Sequence, residues 1–241
     1  EKLFQRIKTV YDNKEKENLN TEQMEVLNKY YKDFVRGGAN LSAEDKEKLK
    51  KINNELSLLA IKFGNNLLKE TNNYRLVIDN EKDLSGLPAG VVAAAAETAK
   101  EAGLEGKWVF TLHNPSVMPF LQYADNRNLR EQIYRAYTNR GNNNNEYDNK
   151  EVISKLIALK TEKANLLGFP DYASYVLDEN MAKNPENVYS LCNQIWEAAL
   201  KVAKKEAATL QKMINKTDGS FQLQPWDWRY YAEKVKQAQY G

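Results

Sequence analysis

One histidine, one cysteine and a run of arginines are the side chains in this sequence whose types and spacing invite a chemical reading. His113 stands beside Asn114-Pro115, and no second His or any Cys lies near it at metal-ligand spacing. A lone imidazole of this kind is expected to serve a loop or a helix cap rather than a metal. Ser116 follows closely, but a nucleophilic serine of the hydrolase type sits in a Gly-x-Ser-x-Gly turn, which the sequence lacks. Cys192, flanked by Leu191 and Ile195 on a helical pattern, reads as a small buried hydrophobe with nothing to lower its thiol pKa. A pairing of Cys192 with His113 stays open from sequence. Carboxylates are abundant, yet none stands out in an apolar setting. No residue of the chain is therefore expected to be catalytic or to bind a metal, and no substrate-binding residue is assigned.

The arginines are Arg127, Arg130, Arg135 and Arg140, interleaved with Leu129, Ile133, Tyr134 and Tyr137 near helical spacing. Such a stripe is either a nucleic-acid surface or a solvated, salt-bridged helix face. Asp125 and Glu131 partly offset the charge, which favours the second reading. The whole chain points the same way: 35 Lys and Arg against 33 Asp and Glu leave a net charge of +2, too weak a field to argue for nucleic acid. No apolar run approaches the roughly 20 residues of a membrane span, and the longest, Val91 to Ala96, stops at Glu97. One cysteine makes no internal disulfide, which suits a reducing, cytoplasmic setting. The first residues carry helical periodicity with no initiator Met and no signal-peptide plan, as in a piece of something longer.

Those residues must be placed by helices. With 241 residues the chain is long enough to bury a real core. Asn20 and Gln23 form a capping box before a stripe of Met24, Leu27, Tyr31 and Phe34, and Gly37-Gly38 ends that helix. Ser42 with Asp45 starts the next. Leu49, Ile52, Leu56, Leu59 and Phe63 then alternate spacings of three and four, so one narrow seam faces a partner helix within the chain, over a helix reaching about Leu68. Residues 74–78 and 107–112 alternate as short strands that could pair. Between them Pro88 to Ala102 forms an alanine-rich helix, and Gly86, Gly90, Gly103 and Gly106 are turn residues, because no Gly-Lys-Ser/Thr follows to make a phosphate loop. Asn114-Pro115 ends an apolar run and Pro119 reopens a helix carrying the arginines. The polar segment 141–149 is the best loop or linker, where the chain could divide. A helix runs from Val152 to Gly168, a short one opens at Phe169 to Ala173, and a long one from Pro185 carries Val188, Leu191, Ile195, Leu200 and Ala203 toward Met213. Thr217-Asp218-Gly219-Ser220 ends it, and Asp227 sits in the first turn of the last helix, where a carboxylate favours the dipole. The aromatic cluster at Trp226, Trp228, Tyr230 and Tyr231 is expected to be core. The fold class is mainly α, a helical lobe of long packed helices with at most a short two-stranded element.

Four clusters carry a family resemblance. Tyr123-Ala124-Asp125 with Arg127, Leu129-Arg130-Glu131 and Tyr134-Arg135-Ala136-Tyr137 is one. Phe34, Arg36, Gly38, Ala39 and Leu41 are a second. Leu167-Gly168-Phe169 with Tyr172-Ala173, Met181-Ala182 and Pro185-Glu186-Asn187-Val188 is the third and most specific, and Leu223, Pro225, Trp226-Asp227 and Tyr230-Tyr231 are the fourth. Taken in their order along the chain, they resemble the zinc-dependent oligopeptidases of the thimet oligopeptidase family, in particular the bacterial peptidyl-dipeptidase (dipeptidyl carboxypeptidase) branch. The resemblance implies a helical protein of two lobes with a channel between them, cleaving oligopeptides with zinc held by His-Glu-x-x-His and a later Glu. This sequence has a single His, so it departs from that motif. The resemblance thus implies that residues 1–241 are the non-catalytic helical part of a longer enzyme, a channel wall inactive by itself, whose partners are oligopeptide substrates and the remaining catalytic part of the same chain. Zinc belongs to that parent and is not expected here. The alternative is a free-standing helical protein-interaction module.

Overall fold

Seven apolar and polar side chains spaced by threes and fours organise the longest early element. In the computed structural model, which describes residues 2–217, 219 and 221–241, the seam becomes α3 (Ala43–Asn73). It extends beyond the apolar stretch to Asn66 and Glu70, both buried. Among the described residues there are ten α-helices and one two-stranded sheet, so the fold is mainly α. The chain divides into two compact units, residues 1–61 with 153–189 and residues 62–152 with 190–241.

The first unit contains α1 (Lys2–Asp12), α2 (Thr21–Arg36), the first part of α3, most of α7 (Lys150–Leu166) and α8 (Tyr172–Leu177). The capping box forms as expected, Gln23 N donating to Asn20 Oδ1 at 2.9 Å and Asn20 N to Gln23 Oε1 at 3.0 Å. Ser42 caps α3 by accepting from Asp45 N at 3.1 Å. Phe4 of α1 is buried against Tyr31 and Phe34 of α2, and Tyr11 stacks on Tyr31 with ring centroids 3.6 Å apart. The stripe Met24, Leu27, Tyr31 and Phe34 is only half-buried. Arg36 ends α2 and fastens it to α8, donating to Tyr175 O at 2.7 Å and Asp178 Oδ2 at 2.8 Å. Lys163 of α7 donates to Asn53 Oδ1 of α3 at 2.8 Å, an exposed contact beside the seam.

The second unit is built on β1 (Leu76–Ile78) and β2 (Trp108–Phe110), antiparallel with Leu76 opposite Phe110 and Ile78 opposite Trp108. Alternation puts Leu76 and Ile78 inward and Val77 outward. Over the inner face lie α4 (Ala89–Glu101), α5 (Asn114–Tyr123) and α6 (Arg127–Thr138), closing a core that includes Leu84, Phe110, Val117, Phe120 and Ile133. Here one expectation is corrected: α5 starts at Asn114, with Pro115 in its first turn and Pro119 inside, and the single expected helix is two. Asn126 breaks them apart because its side chain caps α6, accepting from Asn128 N and Leu129 N. Gly90 likewise lies in the first turn of α4 rather than in a turn between elements.

A smaller core joins α9 (Pro185–Thr217) to α10 (Trp228–Tyr240) through Leu210, Ile214, Tyr230 and Tyr231. Asp218 and Ser220, expected in the turn after α9, lie outside the described residues. The inward placement of Leu191 and Ile195 does not hold. Residues 191–199 are exposed on every side of α9, Cys192 with them, so the thiol expected to be buried is open to solvent. An apolar stripe says that a helix face suits a partner, and no described residue covers this one. The nearest point at which the chain passes between units, Val152 to Ile153, lies just beyond the segment 141–149.

Candidate functional site

His113 is the natural starting point, as N-cap of α5. Both ring nitrogens are engaged, Nδ1 with Thr111 Oγ1 at 3.1 Å and Nε2 with Asn72 Oδ1 at 3.0 Å. Since Asn72 Oδ1 only accepts, the tautomer that satisfies both contacts carries its proton on Nε2 and accepts from the Thr111 hydroxyl at Nδ1. The ring thus ties the end of α3 to the start of α5. Ser116 is not its partner: its Oγ accepts from Thr111 N at 2.9 Å. Neither a Ser-His nor a Cys-His pairing is made by this imidazole.

The arginine stripe is not the wet face that the sequence suggested. Arg130 is 1% exposed and Asp227, 97 residues on, is 0% exposed. Arg130 Nη2 donates to Asp227 Oδ1 at 3.2 Å, while Arg127 clasps the same carboxylate with Nε at 3.0 Å to Oδ1 and Nη2 at 2.9 Å to Oδ2. Gln224 N adds a fourth donor group at 3.1 Å. A second branch of Arg130 donates to Ala124 O at 2.7 Å and Asp125 O at 3.1 Å, satisfying carbonyls at the end of α5. Its guanidinium lies 4.0 Å from the Tyr230 ring, and Arg127 lies 4.2 Å from that of Phe221. Asp227, the N-cap of α10, is therefore also a buried anchor holding α6 and the start of α10 together. Only Arg135 behaves as expected, pairing with Glu131 at 2.7 Å on an exposed face.

Asp125 sits beside this anchor. Burial acts to raise its carboxyl, but hydrogen bonds from Ser85 at 2.7 Å and Tyr230 at 2.7 Å, with Lys234 and Arg130 nearby, outweigh it and hold the group below its ordinary value. Gly86 makes this packing possible. At φ +84° any Cβ there would run into the Tyr123 carbonyl oxygen and the Asp125 carboxylate.

A third polar cluster lies where the α3 seam turns hydrophilic. Glu70 accepts from Gly141 N, from Asn143 Nδ2 at 2.9 Å and from Asn145 Nδ2 at 2.7 Å. Burial works against its charge, but these donors prevail and the carboxyl is lowered. Asn66 donates to Asn149 Oδ1 at 3.0 Å, and Asn149 returns to Phe63 O at 3.1 Å. The asparagine-rich segment is a loop, as its composition indicates, and a pinned one. Sequence reasoning passed over Asn66 and Glu70, though the signal was present: polar residues continuing a three-and-four core seam are buried acceptors or donors in need of partners.

Each of these clusters is closed, with its acceptors filled by the chain itself. A large open groove of about 1310 Å³ lies in the first unit, lined by the apolar side chains of Phe4, Phe34 and Leu49 among others. The metal implied by the family resemblance does not fit here. The single imidazole is occupied at both nitrogens, and no group of three His, Cys, Asp or Glu among the described residues is placed to hold an ion. Nor is any helix among them long and apolar enough to cross a membrane.

The profile of Peptidase family M3 matches residues 120–241. Dipeptidyl carboxypeptidase of Escherichia coli (strain K12) is 35% identical over 238 residues, covering 99% of this chain and 35% of the relative. Oligopeptidase A of the same organism is 35% identical over 245 residues, covering 100% of this chain and 36% of the relative. Oligopeptidase A of Haemophilus influenzae is 37% identical over 223 residues, 91% of this chain and 33% of the relative. The chain spans about a third of the length of these curated relatives.

Proposed function

We propose, from the premise that this chain belongs to peptidase family M3, that it is the helical, non-catalytic part of a zinc-dependent oligopeptidase of peptidyl-dipeptidase type. It forms a wall of the channel along which short peptides reach a centre made by other residues. The observation that supports this best is a match over almost the whole chain to peptidases about three times its length, combined with a lone histidine already committed to Thr111 and Asn72. In zinc peptidases the metal activates water and polarises the scissile carbonyl. The described residues do not form a site for it, so no step of hydrolysis is assigned to them. Their part is positional. The Arg127–Arg130–Asp227 anchor and the Glu70 cluster hold helices rigid, as a wall that sorts substrates by size requires.

Two measurements on the 241-residue chain test this. Metal analysis after zinc dialysis is expected to show no stoichiometric binding, and a quenched-fluorescent oligopeptide is expected to stay intact. Hydrolysis that persists in a chelator would overturn the reading of an inert wall. The same substrate offered to a protein of the relatives' length is expected to be cut in a chelator-sensitive manner, with dipeptides leaving from the C-terminus. The exposed α9 stretch, with Leu191, Ile195 and Trp196, also suits a free-standing interaction module. Tight capture of an unrelated protein by this face, without peptidase activity in the longer protein, would favour that alternative.

A further inference from the structure

We propose that the groove of the first unit is a docking site for an acidic peptide, one that alternates carboxylates with apolar side chains. The inference rests on the oligopeptidase reading for its biological setting and on the groove alone for its chemistry. The floor is apolar: Phe4 and Leu49 are nearly fully buried beneath it and Phe34 is half-buried. Gly38 keeps it open, since at φ +88° a Cβ would press on the Leu49 side chain. The rim is cationic. Lys2, Arg6 and Lys50 line the groove beside Lys46, which is already engaged, against a single described acid, Asp33, and that carboxylate is already paired with Lys29 at 3.3 Å. Lys50 has only a loose partner, Glu47 at 3.8 Å, and its side chain is 77% exposed.

The end of α2 also lies in the wall, and a helix C-terminus disfavours anions. Here its last carbonyls are taken up: Gly37 N, Gly38 N and Ala39 N donate to the carbonyl oxygens of Asp33, Val35 and Phe34 at 2.9–3.0 Å. The lysine and arginine charges therefore dominate. A neutral apolar strand would gain the floor but not the rim, and a basic one would be repelled by it. An extended peptide places alternate side chains on opposite faces, so apolar residues on one face meet the floor while carboxylates on the other side reach out to the cations.

The test uses the 241-residue chain and two fluorescein-labelled nonapeptides, one alternating glutamate with leucine and one alternating lysine with leucine, read by anisotropy. At physiological salt the acidic peptide is expected to bind about 10-fold tighter or more, a gap set by charge complementarity. Raising salt to about 1 M, where the Debye length falls to about 3 Å, should close most of that gap. Charge reversal at two exposed rim positions, Arg6→Glu with Lys50→Glu, is expected to abolish or invert the preference. The control Lys201→Glu with Lys205→Glu places the same reversals on exposed α9, taking the net charge from +2 to −2 as well, and should leave the preference intact. Equal binding of the two peptides, or a preference that both double variants abolish alike, overturns the proposal. Chelator-sensitive hydrolysis by the longer protein is read separately. A protein that hydrolyses but shows no rim-dependent preference retains the peptidase reading and loses the groove, whereas rim-dependent binding without hydrolysis does the reverse.

Discussion

The two units of this chain are fastened in opposite ways. In the second, Arg130 and Asp227 are withdrawn from solvent, and the Asp227 carboxylate is shared between Arg130 and Arg127. In the first, Arg36 and Lys32 meet Asp178 at 2.8 and 3.0 Å, but the carboxylate remains 36% exposed and both cations stand near other acceptors. The geometry of the pairs is alike and the solvent differs. Buried charge loses its hydration on folding and depends wholly on its partners, while exposed charge exchanges one set of polar neighbours for another.

The largest test of that contrast is to remove one carboxylate from each unit. Asp227→Ala leaves Arg130 buried and uncompensated, and urea unfolding should show a loss of about 3–5 kcal/mol. Asp178→Ala, with water to replace the lost oxygen, should cost about 1 kcal/mol or less. Equal losses would break the comparison. Glycine substitutions sharpen it further. Gly86→Ala meets the fixed backbone oxygen of Tyr123, whereas Gly38→Ala meets the movable end of Leu49. Both positions carry the strain of a positive φ, about 1–3 kcal/mol, so the difference in thermal midpoint between the two variants isolates the cost of a backbone clash, with Gly86→Ala the less stable.

Acid provides the next test. Glu70 and Asp125 both lie below their ordinary values, and a hydrogen bond and charge from Lys150, with backbone donors, take Asp148 from 3.8 to about 2. The unfolded chain therefore binds protons before the folded one does. Stability from these groups is present above the unfolded values and falls as pH drops from about 4.5 toward 2. Glu70→Gln should flatten the upper part of that loss while lowering stability at neutral pH, because an amide nitrogen then faces donors from Gly141, Asn143 and Asn145. A pH profile unchanged by the substitution would show that the loop is held by something else. The smallest effect is expected at Arg135→Ala. It removes an exposed pair one helical turn apart, worth about 0.3–0.5 kcal/mol, and a larger loss would mean that stacking of Arg135 on Trp226, 4.7 Å away, carries real weight.

Much of the architecture was legible from local pattern. The capping box at Asn20, the start at Ser42, the strand pair and the α3 seam all depend on residues within a few positions of one another. The break between α5 and α6 carries a local sign too, since Asn126 is a good cap directly ahead of Arg127, but the helical spacing of apolar residues runs across it. Cys192 shows a different kind of failure. Helical spacing of Leu191 and Ile195 marks a face fit for burial, and periodicity cannot say which residues arrive to cover it. The polar clusters were missed because their halves are far apart in sequence.

By itself, then, the sequence determined helix positions, caps, the mainly α class and a family likeness, because these follow from short-range periodicity and side-chain type. Tertiary structure alone decided that Arg130 and Asp227 are buried together, that Glu70 holds a loop more than 70 residues away and that His113 is spent on Thr111 and Asn72. The physical reason is that a charge or an imidazole has no fixed role until its solvent is replaced, and what replaces it is set by packing between distant segments.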